Sequence, residues 1–264
     1  MMSSNVARIT DHEAAISFLR REPLRNQHLV TALEADVPSV PREVYVDHVD
    51  DIRAVLIVEH FEYGDDTSSD WVSIDAASEK AASEVLEGLP SEKEFRFMIH
   101  RSWMKEVVQR RFGVQFSGKR YDYTVNEDRF RPVRKYPVTA LDETHLEMLA
   151  NRPSVTAPRA PTLVDELERQ LRGERIRIFV LFQEEGIVAY ATAEGLVEDI
   201  WGIHPQTLEQ HRGKGYGRAV MSAATEHVLS VGKMPYYDAG PDNPPAMRIA
   251  EALGYWVYQE VVWT

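Results

Sequence analysis

Between Thr207 and Arg218 the chain reads Thr-Leu-Glu-Gln-His-Arg-Gly-Lys-Gly-Tyr-Gly-Arg, with glycine at 213, 215 and 217 and basic side chains at 212, 214 and 218. A glycine-rich turn that enters a helix leaves backbone N–H groups without internal partners, aimed at one point at the positive end of the helix dipole. With no Cβ in the way, a phosphate can approach that backbone closely. Arg212, Lys214 and Arg218 add positive charge in a chain whose 30 basic residues are outnumbered by 42 acidic ones. This is chemistry for holding a pyrophosphate. The spacing excludes two common nucleotide loops. A P-loop needs four residues between its glycines and then Lys-Ser/Thr. A dinucleotide fingerprint needs Gly-x-Gly-x-x-Gly early in a βαβ unit, whereas this loop runs Gly-x-Gly-x-Gly and sits late in the chain.

Other reactive constellations fail on spacing or composition. The nine histidines form no His-Glu-x-x-His or similar cluster, so no metal is expected. There is no Gly-x-Ser-x-Gly elbow for a serine hydrolase. The absence of cysteine excludes thiolate metal sites and a cysteine nucleophile. A formal charge of −12 works against binding nucleic acid. The N-terminus lacks the basic-then-apolar layout of a signal peptide, and no window has the ~18 apolar residues of a membrane span. The expectation is a cytoplasmic protein with no membrane partner.

The elements that must position the loop follow from hydrophobic periodicity. An apolar strand over Ile200–Thr207 precedes it. Val220, Ala223, Ala224, Val228 and Val231 trace one face of a helix at 216–230 after it. Around these, strands are expected at Ile176–Phe182, Ile187–Ala193, Tyr236–Asp238 and Tyr255–Trp263, and helices at 141–150, 162–172 and 245–253. The first 35 residues read as helical, interrupted near Pro23. Strands at Val44–Val46, Ile52–Val58 and Trp71–Ile74 follow, then a helix at 77–88, a strand at Phe95–Ile99, a helix at 102–111 stopped by Gly113, and a strand across Val114–Val125.

The two halves share a rhythm. Phe95 to Gly113 spans 18 residues, as does Tyr236 to Gly254, and a shift of 141 lays the helix at 77–88 onto 218–229. This predicts a mixed α/β fold built from a duplicated unit of about 130 residues, each a central mixed sheet flanked by helices. The boundary is expected in the Pro-containing stretch Phe130–Pro137, giving domains 1–130 and 131–264.

Arg212-Gly213-Lys214-Gly215-Tyr216-Gly217 resembles the Arg/Gln-x-x-Gly-x-Gly/Ala signature of the GNAT superfamily of acyl-CoA-dependent N-acyltransferases. Asn243-Pro244-Pro245-Ala246, followed by Leu253-Gly254-Tyr255, is similar to that family's Asn-x-x-Ser/Ala, helix, Gly-aromatic ending. The resemblance spans about residues 136–264. It implies two adjacent parallel strands, here 200–207 and 236–238, that splay apart to admit the pantetheine arm of acetyl-CoA or another acyl-CoA. The arm would bond to backbone near Thr207 and Leu208, with a further contact from Asn243, which also suits a helix N-cap. The pyrophosphate would rest on the amides of 213–218, with Arg212, Gly213, Lys214, Gly215, Tyr216, Gly217 and Arg218 around it. At the repeat register the first half has Trp71-Val72-Ser73-Ile74-Asp75 and no glycine loop, so it resembles the silent half of tandem GNAT proteins.

Direct attack of an amine on a thioester needs a neutral amine, a polarised carbonyl and a stabilised leaving thiolate. A backbone N–H on the splayed strand can supply the oxyanion donor. Pro205 suits a place where pairing lapses or a bulge forms. Many family members carry a tyrosine seven residues after the asparagine, which protonates the departing sulfur; here Ala250 stands there. Tyr236 or Tyr237, across the gap, can substitute. Strand alternation puts Asp199, Trp201 and Ile203 on one face and Glu198, Ile200, Gly202 and His204 on the other. Asp199 and His204 are the candidate bases, with Glu194 a weaker one; water, or an amine of low pKa, serves equally. The leading function is acetylation of a small-molecule or peptide amine. The alternatives are a non-catalytic acyl-CoA-binding or regulatory module and an interaction scaffold with an empty cradle.

Overall fold

The structure, a computed structural model, describes residues 6–34, 40–62, 68–145, 167–170, 172–184 and 186–264. The chain divides into a first unit of Met1–Asp122 with Tyr258–Thr264, and a second of Tyr123–Val257. The last seven residues therefore lie in the unit built mainly from the first half of the sequence.

The first unit contains β1 (Ala7–Ile9), α1 (Glu13–Leu19), α2 (Pro23–Glu34), β2 (Arg42–Val46), β3 (Ala54–Glu62), β4 (Ser68–Ala76), α3 (Glu79–Leu86), β5 (Arg96–Ile99), α4 (Met104–Phe112) and most of β6 (Gly118–Thr124). Pro23 does not break a helix but begins one, at a position where its missing N–H is harmless. Ser78 Oγ accepts from the Ala81 amide and starts α3. Gly113, with φ 66°, ends α4 in the left-handed conformation. β1 to β4 pair antiparallel, and β4 and β5 pair parallel from Trp71/Arg96 to Ile74/Ile99. Val262 pairs with Ile99 from the far end of the chain. Leu56, Ile74, Leu86, Phe97, Ile99, Met104 and Val262 share one core. Fully burying each such side chain stabilises by about 1.5–3 kcal/mol.

The parallel pair of this unit is sealed at its end. Arg101 Nε donates to Asp75 Oδ1 at 2.6 Å, Asn26 Nδ2 donates to Asp75 Oδ2 at 2.9 Å, and Arg101 Nη2 reaches Glu22 at 2.8 Å. Asp75 is buried and Arg101 half-buried.

In the second unit β7 (Val138–Ala140), β8 (Ile176–Gln183), β9 (Gly186–Val197), β10 (Ile200–Thr207), α5 (Tyr216–Ser230), β11 (Met234–Ala239) and α6 (Pro244–Ala252) precede β12 (Trp256–Trp263), whose last residues belong to the first unit. The sheet order is β11-β10-β9-β8-β7. β10 is antiparallel to β9 and parallel to β11. α5 packs across β8, β9 and β10, burying Ala219, Val220, Met221, Ala224 and Val228.

The three-residue strands β1 and β7 were not foreseen, being too short to show periodicity. The helices expected at 141–150 and 162–172 fall largely on 146–166 and 171, outside the described residues. The flanking described segments are a 3-10 turn at Glu143–His145 and a helical piece at 167–170. Among the described residues no helix is long and apolar enough to cross a membrane.

Candidate active site

β10 and β11 pair only from Ile200/Met234 through Trp201/Pro235 to Gly202/Tyr236. Beyond Gly202 the two strands part, and a cleft of about 930 Å³ opens. Its walls are the end of β10 (Pro205, Gln206, Thr207), the turn into α5, Tyr237 of β11, and the exposed start of α6.

Of the two readings of Pro205, a bulge or a lapse of pairing, the strand shows the lapse. The β9/β10 register runs unbroken through His204/Thr192, Pro205/Ala191 and Gln206/Tyr190, and its irregularity lies earlier, between Ile200 and Trp201. The Leu208 amide donates to the Val188 carbonyl at 3.0 Å. Strand alternation then turns the amides of 204 and 206 toward β9, and those of 203, 205 and 207 toward the gap. Pro205 thus has its missing N–H on the side β11 has left, where no ladder bond is lost. Ile203 and Thr207 present N–H groups to the gap. Leu208, expected beside the pantetheine arm, instead spends its amide on β9 and lies outside the cleft lining.

The glycine turn has the conformation its composition demands. Gly213 and Gly215 have φ of 79° and 86°, and no atom lies within 4 Å of where a Cβ on Gly213 would sit. Gly215 is the N-cap of α5 and offers no side chain to the first-turn amides. Gly217 is needed for a different reason. A Cβ there would stand 2.8 Å from Thr207 Oγ1, so only glycine lets the helix start this close to the strand end. Tyr136 braces the turn, its hydroxyl donating to the Lys214 carbonyl at 2.8 Å and its ring meeting Tyr216 edge-on at 4.9 Å. The result is bare amide surface at the positive end of a 15-residue helix, flanked by Arg212 and Arg218. It fits a diphosphate.

Of the expected ligand residues, Thr207, Arg212, Gly213, Gly215, Tyr216, Gly217, Arg218 and Asn243 line the cleft; Leu208 and Lys214 do not. Asn243 caps α6, its Oδ1 accepting from the Ala246 amide at 3.3 Å, with prolines in the first turn. Gln206, His211, Asp242, Arg248 and Ile249 also line the cleft and were not singled out in the sequence. For α6 the signal was there: 245, 248, 249 and 252 share one helical stripe with the cap at its start.

The candidate catalytic residues are dispersed. Tyr237 lines the cleft and is nearly buried. Burial, with Asp238 and Tyr123 nearby, pushes its hydroxyl up to about 12, so it keeps its proton at neutral pH. Tyr236, its neighbour, points to the other face by alternation, and Ala250 is fully buried. Asp199 lies in the β9/β10 turn, exposed and paired with Lys233 Nζ at 2.6 Å, outside the cleft lining. His204 is exposed; its Nε2 lies 3.1 Å from where a Cβ on Gly202 would sit. The imidazole therefore lies over the last paired position before the strands part. Glu194 is tied to Arg169.

In the first unit Asp47, His48 and Glu84 bring ligand atoms within 4.8 Å of one another. Arg53 already sits among them, 3.2 Å from Asp47 and 3.5 Å from Glu84, and Asp47 Oδ1 also accepts from the Arg53 and Ala54 amides.

Comparison with known proteins agrees with this geometry. The profile of the GNAT acetyltransferase family matches residues 168–262. No curated protein sequence matches the chain. Among solved structures, a GNAT-family acetyltransferase from Colwellia psychrerythraea superposes with a TM-score of 0.63 at 10% identity, covering 98% of each chain. A GCN5-related N-acetyltransferase from Sphaerobacter thermophilus gives 0.61 at 12% identity, covering 100% of this chain and 96% of that one. A tandem GNAT protein from the clavulanic acid biosynthesis pathway gives 0.59 at 13% identity, over 98% and 96%. At such identities these likenesses establish the fold, two GNAT-like units in one chain. The profile match falls on the half that holds the parted strands and the glycine turn: residues 168–262 match the GNAT acetyltransferase family, and the chain has the fold of GNAT proteins.

Proposed function

We propose that the second unit transfers an acetyl group from acetyl-CoA to a primary amine by direct attack on the thioester. The observation that carries this reading is the coincidence, in one cleft, of a parallel strand pair that opens after Gly202/Tyr236 and a helix start whose glycines bare its amides. The first feature suits an extended amide-bearing arm, which can bond to strand backbone at Thr207. The second suits the diphosphate at the arm's end.

In the transfer, the amine nitrogen bonds to the thioester carbon and the carbon–sulfur bond breaks. The Ile203 N–H, facing the gap, suits the oxygen that becomes negative. Tyr237, protonated at neutral pH, suits the departing sulfur in place of the tyrosine that Ala250 replaces. His204, exposed and outside the cleft lining, is left as the base for the amine proton, which it would take through water. Asp199 is held by Lys233 and is not assigned a role.

The test is release of CoA from acetyl-CoA over a panel of amines, with mass-spectrometric detection of the acetylated product. An N-acetylated product is expected for at least one amine, and Tyr237→Phe is expected to lower kcat about tenfold or more with little change in the KM for acetyl-CoA. Tight CoA binding without turnover on any acceptor would instead leave a non-catalytic acyl-CoA-binding module.

A further inference from the structure

The stretch from Arg131 to Tyr136, which the sequence marks as the boundary between the halves, is fastened along the second unit. The Arg131 amide donates to the Leu253 carbonyl at the end of α6, at 2.9 Å. The Val133 amide donates to Oγ of the buried Ser222 in α5 at 2.8 Å, and Arg134 pairs with Glu226 one turn further along that helix. The strap ends at Tyr136. Its hydroxyl donates to the Lys214 carbonyl at 2.8 Å, and its Cε2 lies 3.8 Å from where a Cβ on Gly215 would sit. Attachments to α5 and α6 thus hold Tyr136 independently of the glycine turn that it touches.

The Lys214–Gly215 peptide is trans, so its C=O and N–H point in opposite directions. The carbonyl faces Tyr136, which is not part of the cleft wall, whereas Gly215 is. The Gly215 N–H is therefore turned toward the cleft, among the amides that suit an anion. Gly215 holds this arrangement with φ 86°. Glycine populates positive and negative φ about equally, so the peptide plane turns over when ψ of Lys214 and φ of Gly215 change together. Turned over, it aims a carbonyl oxygen at the diphosphate and takes an N–H away. The freedom that bares the amides leaves their direction unsettled, and Gly213 and Gly215 carry no side chain to settle it.

We propose that Tyr136 is a positioning residue that sets which way the Lys214–Gly215 peptide faces, holding the turn in its anion-binding form before the ligand arrives. The proposal rests on the acyl-CoA reading above and assigns the order of its diphosphate site to a residue outside that site. A turn only partly populated in its competent form binds with its affinity reduced by that fraction. The loss falls on association, because only the competent fraction can be entered, while in the complex the ligand itself holds the peptide in place.

Association and dissociation rates of CoA with the full chain, wild type against Tyr136→Phe, test it. Phenylalanine keeps the ring that meets Tyr216 and removes only the hydroxyl. The association rate constant is expected to fall about threefold or more, as the loss of one hydrogen bond allows, with the dissociation rate changed by less than about twofold. The calorimetric stoichiometry should stay the same, which separates this effect from loss of folded protein. A loss of affinity that lies in dissociation makes Tyr136 a contact of the bound state and overturns the proposal. Unchanged rates overturn it too, and leave the acyl-CoA reading intact. No CoA binding by the wild type ends both.

Discussion

At the scale of single residues, the glycines of the cradle have separable jobs. Gly213 and Gly215 supply positive φ, while Gly217 supplies room beside Thr207. Gly215→Asp tests the cradle directly. Aspartate tolerates the left-handed region better than most residues, so the fold should lose only about 1–2 kcal/mol. The carboxylate would stand at the amide cluster, in the place of the ligand's own charge. CoA binding is expected to fall below detection by calorimetry, with the circular dichroism spectrum preserved; unchanged affinity would remove the turn from the binding site. These glycines were legible in the sequence because their requirement is local. The catalytic groups were not. Asp199 and His204 stood as equal candidate bases beside Tyr237 as candidate acid, and what the structure adds is that Lys233 holds Asp199 and that Tyr237 alone of the three lines the cleft.

At the scale of elements, α6 joins stability to binding. Its cap, Asn243, holds the Ala246 amide, and its stripe presents Arg248 and Ile249 to the cleft. Loss of an N-cap side chain costs about 0.5–2 kcal/mol. Asn243→Ala is therefore expected to lower Tm by a few degrees in a thermal melt and, by loosening the first turn, to raise the KM for acetyl-CoA. If the stability falls without any change in KM, Asn243 is a cap and nothing more. The strand boundaries followed the apolar runs closely, since β8 and β9 are buried along most of their length and β10 over its first half. Pro205 marked a lapse of pairing, but not which neighbouring strand had left. The sequence marks a missing donor, but only the pairing shows that the donor would have met no acceptor.

At the scale of the whole molecule, two units share an order of elements but not a cleft. In the first unit the β4/β5 pair stays closed to Ile74/Ile99, with the Asp75–Arg101–Asn26 cluster across its end. In the second, β10 and β11 separate three pairs in. The C-terminal residues Tyr258–Thr264 belong to the first unit, where Val261 and Val262 are buried and Val262 joins the core. Deleting 258–264 should accordingly destabilise the first unit, read as faster amide hydrogen exchange in β4 and β5. Exchange that quickens only within 123–257 would contradict the division of the chain.

The sequence by itself determined the cradle, the order of strands and helices around it, and the duplicated rhythm. Each depends on residues near one another along the chain, through backbone freedom, capping and periodicity. Only the tertiary structure decided where a parallel pair opens and where it stays shut, that α6 and the start of α5 line one cavity, and that the final strand completes the unit begun by the first half. Those features are contacts between residues tens to hundreds of positions apart, and no local pattern encodes which distant segment will be met.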